Sequence, residues 1–333
     1  MANPGQSVSG GSPGAPQGDD GGYGRTQPLA EKEQGQPDSP VSLLIPVYNP
    51  RFFAAAFSSA TAQTYRNVEI VVGDDSPGGE IRSIVQSAHD ARTRYIRNPV
   101  RLGFHRNFEM LLAQAQGRYI KFLNDDDVLH PECVQEMVGV FEALGSRISL
   151  VTSRRHPIDE LGALLPDTGP TRPLHPNNCF FEGRRFGNAL LLASENLIGE
   201  PSATLFRRAD VDARSGGLFC LAGREYTCLA DLALWLRLLT KGGMAYIARP
   251  LSYIRVHNAR LQHSPEIAAR CLSERVYLPT DARSLGFVDR QEDYAASLAR
   301  ATDIVRRHLA RAAPEPGVRE ILEQALRTAA DQS

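Results

Sequence analysis

The sequence predicts an α/β fold, a mostly parallel sheet flanked by helices, with a helical extension at its C-terminal end. Two observations carry this. From Val41 onward, short β-branched runs alternate with segments whose apolar residues recur at helical spacing, whereas after about Ser264 the pattern is helical only. Strands that alternate with amphipathic helices pair in parallel through right-handed crossovers, because each helix carries the chain back along the sheet face. With 333 residues, 42% of them hydrophobic and 23% charged, the chain is long enough to bury a full core.

Residues 1–39 consist largely of Gly, Pro, Ser, Gln and Asp, too little apolar surface to offset ordering entropy, so a disordered leader is expected. Val41–Val47 (VSLLIPV) reads as a buried strand and Val68–Val72 as a second, with a helix over about Arg51–Ala62 between them. A third strand is expected at Arg94–Arg97. The next helix, about Arg106–Gln116, sets Phe108, Leu111, Leu112 and Ala115 on one face, and Gly117 stands where a left-handed C-terminal cap belongs. Tyr119–Leu123 is a fourth strand. A helix then runs from Pro131, with Val134, Met137, Val138 and Phe141 facing inward, to Gly145, and Ile148–Thr152 follows as a strand. Arg154 to about Asn178, rich in Pro, Gly, Asp and Thr, reads as a long surface excursion. Leu232, Trp235, Leu236 and Leu239 define a helix after Asp231. Tyr294, Leu298, Val305 and Leu309 define another, and Val318–Ala329 a last one.

Charge and cysteine usage narrow the function. With 37 basic against 38 acidic side chains, the chain has no field to favour nucleic acid or an anionic membrane. The five cysteines (Cys133, Cys179, Cys220, Cys228, Cys271) are odd in number, scattered and without a CxxC pair. This argues against a disulfide framework or zinc site and for a reducing, cytoplasmic location. The charge-free run Phe52–Tyr65 is too short to span a bilayer and carries Ser, Thr and Gln.

Chemistry is expected where strands end. Asp74 and Asp75 follow the second strand and Asp125, Asp126 and Asp127 the fourth, so both clusters belong on one rim, where ligands of such sheets bind. Five carboxylates so placed repel one another unless a cation neutralises them. Oxygen-only ligands, with no His or Cys among the clustered residues, favour Mg²⁺ or Mn²⁺ over zinc. Each cluster also has an ordinary reading: DDSPGG is a turn sequence, and an Asp of 125–127 could cap the following helix.

The segments VSLLIPVYN (41–49), AQTY (62–65), VEIVVGDDS (68–76), GFHRN (103–107), AQGRY (115–119) and FLNDDD (122–127) resemble, in order, the nucleotide-sugar half of family-two glycosyltransferases of GT-A fold. The resemblance implies a Rossmann-like sheet and a catalytic domain over 40–264, with a nucleotide-sugar half at 40–129 and an acceptor half at 130–264, followed by the helical extension at 265–333. It places Asp74 at the nucleobase, Pro46, Val47 and Tyr48 along the same pocket, and Arg106 at the nucleotide. Asn124–Asp127 is similar to the family's DxD region: Asp126 is then the metal ligand, with Asp127 as a further candidate and Asp125 towards the ribose. LADLALWLRL (229–238) is similar to the segment holding the catalytic base, which makes Asp231 that base, though Asp there also suits a helix cap. YIRVH (253–257) resembles a closing segment that brings Arg255 and His257 to the diphosphate or metal, and EPSAT (200–204) a loop bordering the acceptor.

The implied activity is transfer, with inversion, of a sugar from a nucleotide-diphosphate carrier, by resemblance UDP, to a hydroxyl of a saccharide or lipid-linked acceptor with Mn²⁺ or Mg²⁺ as cofactor. Surface polysaccharide or glycolipid synthesis is the corresponding setting. Two other readings stand beside it. A sugar nucleotidyltransferase needs a Gly-rich basic loop after the first strand, but Ile45–Pro50 has neither Gly nor Lys. A catalytically silent binding protein of the same fold is suggested by Asn124 and Ala230, where the family carries acids. The C-terminal helices mix Glu292, Asp293 and Asp303 with Arg300, Arg306 and Arg307, consistent with packing or dimerisation and, second to these, peripheral membrane contact.

Overall fold

The computed structural model describes residues 27–28, 38–211, 216–257, 265–311 and 315–331. The strands are β1 (Gln27–Pro28), β2 (Val41–Val47), β3 (Val68–Asp74), β4 (Thr93–Arg97), β5 (Tyr119–Phe122), β6 (Val128–Leu129), β7 (Ile148–Ile158), β8 (Cys179–Phe181), β9 (Thr204–Arg207), β10 (Cys220–Leu221), β11 (Arg224–Glu225) and β12 (Gly243–Arg255). The helices are α1 (Pro50–Thr61), α2 (Glu80–Ser87), α3 (Phe104–Gln114), α4 (Cys133–Leu144), α5 (Gly183–Ala193), α6 (Ala230–Leu239), α7 (Pro265–Arg283), α8 (Gln291–Arg311) and α9 (Pro316–Ala330).

One mixed sheet of ten strands organises the molecule in the order β1-β8-β12-β7-β9-β5-β2-β3-β4, with β6 beside β12. Its longest pairings, β12 with β7 and β2 with β3, are parallel, as are β2 with β5 and β3 with β4. The short β9 joins β5 to β7 antiparallel. Because β2, β3 and β5 run the same way, Val47, Asp74 and the turn after Phe122 finish on one edge.

Local chemistry explains most element boundaries. Asn49 opens α1 by accepting the Arg51 N–H at 3.0 Å, and Pro50 supplies a first helical residue that needs no donor. Gly145, at φ 56°, closes α4 as expected. Gly117 has a different role: α3 ends on the extended Ala115, and a Cβ on Gly117 would overlap the backbone of Val41 and Ser42. Only a glycine lets the chain pass β2 here, so Gly117→Ala is expected to cost about 1–3 kcal/mol, read as a lower denaturant midpoint. The helix α2 lacks a long pattern; Ile81 and Val85 alone mark its buried face. The excursion from Arg154 begins as strand, β7 continuing to Ile158, since β12 pairs with it across two irregularities. The leader expected at 1–39 lies outside the described residues except 27–28 and 38–39; Gln27 and Pro28 pair with Phe180 and Cys179, so that part is strand.

Apolar packing covers both faces. On one, Phe53, Phe57, Met137 and Phe141 of α1 and α4 meet the sheet; on the other, Phe108, Phe186, Leu190, Trp235 and Leu236 do. The second cluster runs without a break into Tyr294, Leu298, Val305, Val318 and Leu322, so the C-terminal helices pack on the sheet domain, α8 against α5. Among the described residues no helix is long and apolar enough to cross a membrane.

One expectation is corrected here. Cys228 and Cys271 form a disulfide, with Cα atoms 5.0 Å apart, although neither spacing nor count announced it. Residues 43 positions apart in sequence meet because α7 folds back on the start of α6. The argument from unpaired cysteines to a reducing compartment therefore falls. Cys133, Cys179 and Cys220 are free and buried. Closing a loop of this length stabilises by about 2–4 kcal/mol on the chain-entropy account. Dithiothreitol, or Cys271→Ser, is expected to lower the melting temperature, whereas dithiothreitol leaves a Cys228→Ser/Cys271→Ser variant unchanged.

Candidate active site

The two acidic clusters do share the rim, but their members differ in what they can meet. Asp74 is fully buried. Its Oδ1 accepts the Ser76 N–H at 2.8 Å, and its Oδ2 accepts the Tyr95 hydroxyl at 2.6 Å and Arg97 Nη1 at 2.7 Å. Burial pushes its pKa up, but these bonds outweigh that and hold it below the ordinary carboxylate value. In this structure the carboxylate expected at the nucleobase holds Arg97, whose side chain is 35% exposed. Asp75 ties down the Leu102–Gly103 turn, accepting both N–H groups at 2.7 Å. Val47 is likewise part of the core, so of the expected pocket wall Pro46 and Tyr48 are accessible. The Tyr48 ring is 44% exposed, with the Arg101 guanidinium 4.2 Å above it, and Arg106 lies exposed on the first turn of α3.

Across from these, Asp125 Oδ2 accepts the N–H groups of Tyr48 and Asn49, each at 2.8 Å, so the β2 end and the acidic turn are one unit. Burial pushes its pKa up to about 6 against those donors, with the Asp126 charge adding to the rise. Asp127 is buried, and both its oxygens are engaged. The Ser202 hydroxyl donates to Oδ2 at 2.6 Å, Asn124 Nδ2 donates to the same oxygen at 3.1 Å, and the Arg255 N–H donates to Oδ1 at 3.1 Å. Burial, and then the Asp126 charge, push its pKa well above the carboxylate range. Asp127 is thus a joint between the turn, β12 and the loop before β9, not an open ligand. The donor at Asn124 also has a reason, since an acid there would face Asp127 as a like charge.

Asp126 remains, with its side chain 23% exposed and Oδ2 lying 3.0 Å from His257 Nε2. His257 comes from beyond β12, its ring 5.0 Å from that of Phe52. An imidazole therefore stands beside the acidic turn, contributed by the 253–257 segment and not by the turn's own sequence neighbours. Among the described residues no three His, Cys, Asp or Glu side chains gather as a complete metal cage. One carboxylate and one imidazole do fit an ion that draws its remaining ligands from phosphate oxygens and water. Arg255, expected at the diphosphate, is a buried strut: Nε donates to Asp126 O at 2.9 Å and Nη1 to Asp159 O at 2.8 Å.

Asp231 stands on the second residue of α6. It does not cap the helix, which starts one residue earlier at Ala230 with Leu229 in the cap position. Oδ1 accepts the Leu232 N–H at 2.8 Å and Oδ2 accepts Asn196 Nδ2 at 2.7 Å. Burial, and then the charge of Glu200, push its pKa up to about 7, opposed by the Leu232 N–H and by Arg155. Glu200, paired with Arg155 at 2.9 Å, also raises Asp127, so its charge acts on both halves of the site. Gly199, at φ 112°, takes a conformation other residues resist, and its carbonyl accepts Trp235 Nε1 at 2.9 Å and Asn196 Nδ2 at 3.1 Å. Asn196, Arg155 and Glu200 thus build the wall around Asp231. Of these, the sequence singled out the Glu200–Thr204 segment alone.

A partly exposed carboxylate bonded to an imidazole on the sheet rim, and a second carboxylate that burial holds near neutrality, are groups that a group-transfer reaction can use. Residues 42–214, more than half of the chain, match Glycosyl transferase family 2, and the chain belongs to that family: it is a glycosyltransferase. An uncharacterized protein of Mycobacterium tuberculosis is 28% identical over 237 residues, 69% of this chain and 71% of its own length. The Escherichia coli UDP-Glc:alpha-D-GlcNAc-diphosphoundecaprenol beta-1,3-glucosyltransferase WfaP is 38% identical over 88 residues, 26% of this chain and 35% of that protein. An uncharacterized glycosyltransferase of Rickettsia conorii is 30% identical over 128 residues, 38% of this chain and 21% of its own. The chain thus spans only about a third or less of the last two. Among solved structures, Staphylococcus aureus TarS in complex with UDP-GlcNAc superposes with a TM-score of 0.55 at 13% identity, covering 79% of this chain and 71% of that one, a likeness of fold.

Proposed function

We propose that the chain is a metal-assisted, inverting glycosyltransferase that moves a sugar from a UDP carrier to a hydroxyl of a saccharide or lipid-linked acceptor. The observation that carries the reading is the pairing of Asp126, partly exposed and bonded to His257, with Asp231, whose pKa of about 7 suits a base at neutral pH. UDP is favoured because TarS was solved with UDP-GlcNAc and WfaP is named for UDP-Glc. WfaP's diphosphoundecaprenol-linked acceptor supports the lipid-linked class.

In this reading Tyr48 and Arg101 flank the base, Arg97 and Arg106 face the nucleotide, and Asp126 with His257 would hold Mn²⁺ or Mg²⁺. The ion would supply Lewis-acid stabilisation of the diphosphate leaving group. Asp231 takes the proton of the acceptor hydroxyl as its oxygen attacks the anomeric carbon. The bond from that carbon to the phosphate oxygen breaks, and its electron pair leaves with UDP. A single displacement of this kind inverts the anomeric centre. The test is UDP release from UDP-glucose and UDP-N-acetylglucosamine with and without Mn²⁺ or Mg²⁺. Metal-stimulated release that Asp126→Ala abolishes is the expected result, and release indifferent to both metal and Asp126 overturns the proposal.

A further inference from the structure

Leu229, at the cap position of the helix that carries Asp231, offers no side-chain oxygen. In the first turn the Leu232 N–H is taken by Asp231 Oδ1 at 2.8 Å, while the Leu229 N–H and the two N–H groups before it find their acceptor on α7. Glu274, 8% exposed, accepts the Thr227 N–H through Oε1 at 2.8 Å, and the Cys228 and Leu229 N–H groups through Oε2 at 2.9 and 2.8 Å. A carboxylate at this end is also favoured by the helix dipole. The contact is one of a series. Cys271, Glu274 and Asp281 fall on one face of α7, and residues 224–229 lie along it. Cys228 is bonded to Cys271, while Tyr226 Oη and Arg224 Nε donate to Asp281 Oδ2 at 2.8 and 2.7 Å.

We infer that Glu274, a residue of the C-terminal helical extension, is a positioning residue for Asp231. By gathering the three N–H groups ahead of α6 it fixes where that helix begins, and so where the carboxylate in its first turn stands. The inference rests on Asp231 being the base. It gives the extension a part in the reaction without any contact to donor or acceptor, since a shift of about 1 Å in a reacting group costs about a hundredfold in rate. Glu274→Gln keeps length and shape but leaves one acceptor oxygen and turns an NH₂ donor towards N–H groups that cannot receive it. The rest of the junction stays: the disulfide, the Asp281 contacts and the buried Ala269, Val276, Leu278 and Ala282 of α7.

The experiment compares Glu274→Gln with Asp281→Asn, which loosens the same strip without touching the start of α6. Three readouts are taken: UDP affinity, turnover of UDP-glucose, and hydrogen exchange at the Leu232 and Ala233 amides, which needs no donor. For Glu274→Gln, turnover is expected to fall about ten- to a hundredfold, amide exchange to rise about tenfold, and UDP affinity to stay within about twofold. Asp281→Asn leaves all three near wild type. Unchanged turnover or unchanged exchange in Glu274→Gln overturns the inference, as does an equal loss in Asp281→Asn or a parallel collapse of UDP affinity. Should Glu274→Gln not fold, Glu274→Asp, whose carboxylate is drawn back by one methylene, is expected to show the same split at smaller size. Asp231→Asn run alongside separates the two claims. Full turnover there removes the base assignment and the positioning role with it; lost turnover there with a normal Glu274→Gln removes this inference alone.

Discussion

Asp231→Asn is expected to reduce sugar transfer by about 10²–10⁴-fold, the usual worth of a general base, while UDP affinity stays within about twofold. The amide fills the same space and still accepts one of the two bonds now made, from Leu232 or from Asn196, but it cannot take a proton from the acceptor. In the wild type, kcat/KM should rise with pH and level off above about 7, because the base works ionised and burial with the Glu200 charge holds it protonated below that point. The same shift has a thermodynamic sign. With a folded pKa of about 7 against an ordinary 3.8, the folded state binds more protons than the unfolded state between those values. The contribution of this group to stability is therefore complete below about pH 3.8 and lost as pH rises through 7. Asp231→Asn does not titrate, so its stability relative to wild type should improve as pH rises from 5 to 8, in thermal melts across that range. A flat difference, or a variant with normal transfer, counts against Asp231 as the base.

The sequence showed the rim but not the division of labour along it. Val41–Val47 and Val68–Val72 were legible because buried parallel strands are continuous apolar runs. The acidic turns were legible because they follow such runs directly. That Asp74 and Asp127 face inward was not, since each is satisfied by donors far off in the chain: Tyr95 and Arg97 for the first, Ser202 and the Arg255 backbone for the second. The disulfide escaped for the same reason, because α7 returns to the start of α6 through helix packing that no local pattern encodes. Gly117 shows the converse: a glycine after a helix reads as a cap, and its actual neighbour, the β2 backbone, lies 75 residues earlier. In each case local spacing found the element, and long-range contacts decided which side chains remain available to a substrate.

That distinction sets the second large effect. Asp126→Ala is expected to abolish Mn²⁺- or Mg²⁺-stimulated release of UDP from UDP-sugars, and to reduce UDP affinity in the presence of metal to its metal-free value. The fold should be nearly unaffected. The Asp126 carboxylate is partly exposed and makes one side-chain hydrogen bond, to His257, worth about 0.5–1.5 kcal/mol, while the bond to Arg255 comes from the Asp126 backbone carbonyl and survives. Asp127 cannot take over, because its oxygens are bound to Ser202, Asn124 and the Arg255 N–H inside the protein. Asp127→Ala should therefore look different: each buried donor left unpaired costs about 1–3 kcal/mol, so the melting temperature falls and activity is lost with the structure. His257→Ala belongs with Asp126→Ala, weakening metal stimulation in proportion to one lost ligand while UDP binding without metal is unchanged. A metal titration of these three variants, with melting curves beside it, discriminates between them. Should Asp127→Ala lose metal stimulation at full stability while Asp126→Ala keeps it, the ligand is Asp127 and the turn must open when the donor arrives.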